Sequence, residues 1–75
     1  MEIKLEQGVT EEQANFAALL INLKNVAKDL DAVMYCLRLL LPEGFDIGRG
    51  ASHIWIHEAD EQGNTKPERW AIITE

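Results

Sequence analysis

The chain is poor in cations, cysteine and proline, and each scarcity excludes something. Seven Lys and Arg stand against thirteen Asp and Glu among 75 residues, a formal charge of −6. Affinity for a phosphate backbone comes mainly from cations that displace counterions, so direct nucleic-acid binding is not expected. Lys24 and Lys28, one helical turn apart, stand almost alone and form no basic cluster. The lone cysteine, Cys36, leaves no internal disulfide framework and fits a reducing cytoplasm. No apolar run approaches the roughly eighteen residues of a membrane-spanning helix, so no membrane partner is expected. The opening Met1-Glu2-Ile3-Lys4 has no charged segment followed by an apolar core, the mark of a secretory signal. Neither Gly nor Pro falls between Val9 and Leu41, so nothing obvious breaks that stretch.

What fills the stretch is a helical repeat. Phe16, Leu19, Leu23, Val26, Leu30, Val33, Leu37 and Leu40 recur at alternating steps of three and four, a heptad a/d pattern. Leu20, Ala27, Met34 and Leu41 add a second apolar stripe beside it, wider than a two-stranded coiled coil needs. Thr10 is placed to cap the helix, with Gln13 completing a capping box. Pro42 and Gly44 close the far end. The pattern therefore predicts one helix from Thr10 to Leu41, a rod of roughly 46 Å. Strands of six residues span only about 20 Å and would cover half of it. The remaining apolar surface calls for a second copy of the chain. Phe16, Leu19, Leu20, Leu23, Val26, Leu30, Val33 and Leu37 are the expected homodimer contacts. The competing arrangement is a break near Lys28–Asp31, with the helix folded back on itself.

The rest is short and extended. Glu2–Glu6 alternates as a terminal strand would, and Phe45–Ile47 suits a brief strand or an anchoring turn. Gly48–Ser52 reads as a connector. His53–His57 is the clearest strand, rich in β-branched and aromatic residues. Gly63-Asn64 marks a turn in the polar stretch 58–69, and Trp70–Thr74 is the return strand, with Pro67 pointing to a sheet edge. The expected fold is α+β in one domain, 1–75: a long helix followed by a small antiparallel hairpin or sheet, with residues 2–6 as a candidate N-terminal strand. Seventy-five residues bury a modest core, which adds weight to oligomerisation.

Strand alternation puts Ile54 and Ile56 on one face and His53, Trp55 and His57 on the other. By the same rule Ala71 and Ile73 share a face, opposite Trp70, Ile72 and Thr74. Trp55, Trp70, His53, His57 and Ile72 are thus the candidate partner-binding residues, since Trp is enriched in binding hot spots. A tryptophan on so small a domain is more often core or dimer contact.

Catalytic readings fail on spacing. His53 and His57, about 13 Å apart along a strand, are too distant to share a zinc, whose bonds to nitrogen are near 2 Å. Cys36 lies toward the C-terminal end of its helix, where the dipole disfavours a thiolate. Gly48–Ser52 lacks the Gly-Lys-Ser/Thr ending of a phosphate loop and no helix follows it. Glu58, Asp60 and Glu61 crowd a solvated bend, suited to solubility or to steering a basic partner. No cofactor, metal or enzyme activity is expected. The residues favour a cytoplasmic, non-enzymatic protein–protein interaction or regulatory module. The second reading is an acidic inhibitor, of the kind phages encode, that occupies a nucleic-acid-binding groove by charge mimicry.

Overall fold

The computed structural model describes residues 1–75 and contains six elements. They are β1 (Glu2–Leu5), α1 (Ala14–Val26), α2 (Leu30–Leu40), β2 (Phe45–Arg49), β3 (His53–Ala59) and β4 (Thr65–Thr74). The strands form one antiparallel sheet in the order β1-β4-β3-β2, with the helices packed on one face.

The single long helix is not formed. α1 ends at Val26, Ala27 turns extended at φ −91°, ψ 131°, and Asp29 restarts the chain as the N-cap of α2. The Asp29 carboxylate accepts a hydrogen bond from the Ala32 amide at 2.8 Å, replacing a helical partner with a side chain. Asp is a better cap than helix interior residue, so the break needs neither Gly nor Pro. Energetics favour it: the fold-back forfeits about three helical hydrogen bonds at a net ~1 kcal/mol each. In return it brings Leu30, Val33 and Leu37 onto the sheet, about 1.5–3 kcal/mol per side chain. The longest dimension of the molecule is 33 Å, shorter than the straight rod would be.

The expected homodimer contacts therefore have another role. Phe16, Leu20, Leu23, Leu30, Val33 and Leu37 are buried within their own chain, and Leu19 packs partly against them. Val26, at 73% exposure, lies outside the core because the helix ends there. The capping box does form, with Gln13 N donating to Thr10 Oγ1 at 3.3 Å and Thr10 N donating to Gln13 Oε1 at 3.2 Å. It closes a turn ahead of α1, whose regular portion starts at Ala14.

The expected hairpin is a four-stranded sheet. β1 pairs with the last residues of β4, from Glu2 opposite Thr74 to Leu5 opposite Ala71. β2 runs on through Gly48 and Arg49, so the connector shrinks to residues 50–52. Pro67 sits in the part of β4 that β1 does not reach, where no amide is needed.

One irregularity decides the core. β3 pairs Ile56 with Ala71 and then His57 with Arg69, leaving Trp70 as an extra residue in a bulge. The bulge cancels one alternation, so Trp70 and Ala71, neighbours in sequence, are both buried. Trp70 stacks on Phe16 at 5.4 Å between ring centroids and meets Phe45 edge-on at 4.9 Å. Its indole N–H donates to Gln13 Oε1 at 3.0 Å, which satisfies the buried polar atom.

Candidate functional site

With both helices on one face of the sheet, the other face has no cover. Ile54, Ile56, Ala71 and Ile73 point to the helices, so His53, Trp55, His57 and Ile72 occupy the open side. Ile72 lies directly opposite Trp55, and Lys4 directly opposite Ile72, so the three make one cross-strand row. Gly48 completes it on β2.

Two glycines make room for the indole. A Cβ on Gly48 would fall inside the Trp55 ring system. A Cβ on Gly50 would lie 2.8 Å from His53 Cε1 and 3.1 Å from Trp55 Cζ3, so Trp55 and His53 lie down over β2. Their rings are 4.8 Å apart at 38°. The consequence is a low aromatic platform, half-buried, with Ile72 beside it. The sequence reads Gly48 and Gly50 as connector residues. The only sequence signal for their role is a bulky aromatic at a register position that the connector reading does not assign.

His57 is engaged differently. Its Nδ1 lies 2.9 Å from the Lys66 carbonyl and 3.1 Å from the Glu68 carbonyl, so Nδ1 carries the proton and donates. The ring thereby straps the irregular part of β4 to β3. His53 and His57 face different neighbours, and no cluster of three His, Cys, Asp or Glu with metal-binding geometry occurs. A recess of about 230 Å³ beside Trp55 is lined by Asp46, His57 and Thr65.

Four of the five candidate partner-binding residues share this face: His53, Trp55, His57 and Ile72. Trp70 does not. The bulge carries it through the sheet to the aromatic core, where it is fully buried. Cys36 is half-buried on α2 as a free thiol, and no helix is long and apolar enough to cross a membrane. Comparison with protein-family models, with curated proteins and with solved structures found no match.

Proposed function

We propose that the protein is a non-enzymatic interaction module that offers its open sheet face, centred on Trp55, to another protein. The observation that supports this most is the placement of Trp55 and His53 flat over Gly48 and Gly50 on the uncovered side of the sheet. A rigid aromatic platform flanked by an aliphatic and a lysine supplies contact area at low entropic cost. The test compares proteins retained by the immobilised chain with those retained by Trp55→Ala and, separately, Ile72→Ser. Loss of a partner with the fold intact by circular dichroism supports the reading. Equal retention by all three chains overturns it.

The distribution of charge favours a second reading, inhibition by charge mimicry of a nucleic-acid-binding protein. Carboxylates scattered along the sequence gather at the end of the molecule where the capping turn, the α2–β2 loop and the β3–β4 hairpin meet. Such binding would weaken steeply with salt, whereas binding through the aromatic face would be nearly indifferent.

A further inference from the structure

Three chain segments converge at one end of the molecule: the capping turn before α1, the loop from α2 into β2, and the β3–β4 hairpin. Gln13 Nε2 donates to Glu58 Oε1, the Ala59 amide donates to the Gly44 carbonyl at 2.8 Å, and Thr65 Oγ1 donates to Asp46 Oδ2 at 2.7 Å. These links assemble seven carboxylates: Glu11 and Glu12 from the first segment, Glu43 and Asp46 from the second, and Glu58, Asp60 and Glu61 from the third. Three cations stand nearby: Lys66 paired to Glu58 at 3.5 Å, Arg69 paired to Glu6 at 3.2 Å, and Arg38 in the last turn of α2. The carboxylates outnumber these cations, so this end is net negative.

The same end holds the largest cleft, about 500 Å³, between the start of α1 and the end of α2. Phe16, Leu19, Leu40 and Phe45 line it, and Glu12 and Glu43 stand on its rim. Leu40 is 52% exposed and the adjoining Leu39 68%, so the apolar surface runs out of the cleft onto the end of α2. A concave apolar floor with a rim of one sign of charge selects its ligand by both properties.

We propose that this cleft docks a protein segment bearing a bulky apolar side chain flanked by Lys or Arg. The apolar side chain enters between Leu19 and Leu40, and the flanking cations meet Glu12 and Glu43. Nucleic acid is repelled by the same rim. A lone small molecule would leave the adjoining leucines uncovered, which an extended segment would bury. The inference rests on the charge distribution and the cleft, and is independent of the Trp55 face and of whether the partner itself binds nucleic acid.

Panning a displayed library of random peptides against the immobilised full chain tests it. The enriched peptides are expected to share a Leu, Ile, Phe or Trp with basic residues on both sides. Affinity of a synthetic copy should fall about tenfold for Leu40→Ser and by a similar factor for the double variant Glu12→Gln, Glu43→Gln, and should weaken further as salt is raised. Should Leu40→Ser melt early, the charge pair decides alone, because both glutamates are exposed. The proposal is overturned by failure to enrich, by enriched peptides without cations, or by binding indifferent to the charge pair. It is equally overturned if Leu40→Ser folds and binds normally, or if binding is lost with Trp55→Ala instead, which would place the peptide on the open sheet face.

Discussion

Gln13 joins more of the structure than any other polar residue. Its Oε1 accepts from the Thr10 amide and from the Trp70 indole, its Nε2 donates to Glu58, and its own amide donates to Thr10 Oγ1. One side chain thus ties the helix start to the bulge of β4 and to the acidic hairpin. Gln13→Ala leaves the buried indole N–H without an acceptor, a loss of about 1–3 kcal/mol. The expected readout is a lower urea midpoint with an unchanged slope. An unchanged midpoint would mean that water replaces the amide oxygen there. The Thr10–Gln13 pair was legible in the sequence because a capping box is local, contained in four consecutive residues. That the same Gln would receive the Trp70 proton was not, since the two are 57 residues apart in the chain.

At the scale of elements, the helical break turns on Asp29. Periodicity ran through it uninterrupted because a heptad stripe and two helices folded onto one sheet bury the same face of each turn. Ala27 and Leu30, three residues apart, are both buried, so the stripe carries no phase error at the break. Only the capping chemistry of Asp29 marked the place. Asp29→Ala removes the Ala32 contact and should cost about 0.5–2 kcal/mol. Amide exchange should rise first at the N-terminal turn of α2, while β3 and β4 keep their protection. Uniform acceleration across the chain would show that the two helices are not separable units. The Trp70 bulge is the matching case in the sheet. Alternation predicted its face wrongly because an inserted residue inverts every position beyond it, and nothing in Arg69-Trp70-Ala71 marks the insertion.

At the scale of the molecule, folding back changes the case for association. The accessible surface is 4990 Å², close to the roughly 4,700 Å² expected of a folded monomer of this mass. The radius of gyration is 11.5 Å, near the ~11.4 Å expected for a compact domain of this length. Most of the stripe that a straight rod would have left for a second copy is inside the chain, with Val26 and Leu40 still exposed. Sedimentation is accordingly expected to show one species of 8.5 kDa, and a concentration-dependent dimer would contradict that. The excess of carboxylates at one end also predicts how salt acts. Moderate NaCl should raise the urea midpoint, because screening relieves repulsion among the carboxylates. The ion pairs that salt weakens, Arg49–Asp31 at 3.0 Å, Lys66–Glu58 at 3.5 Å and Arg69–Glu6 at 3.2 Å, each keep one partner about half-exposed or more and contribute little. A falling midpoint would show those pairs to outweigh the repulsion.

Hydrophobic periodicity, capping residues and composition, all short-range properties, determined that the chain is a small acidic α+β domain with an apolar helical stripe. They also identified β3, the start of β1 and the placement of His53, Trp55 and His57 on one strand face. Tertiary structure alone decided that the helix is two, that Trp70 is core, that two glycines bed Trp55, and that distant carboxylates share one end with an apolar cleft. Each of these depends on contacts between residues far apart in the chain. Their energy comes from area buried against a sheet that no local window contains.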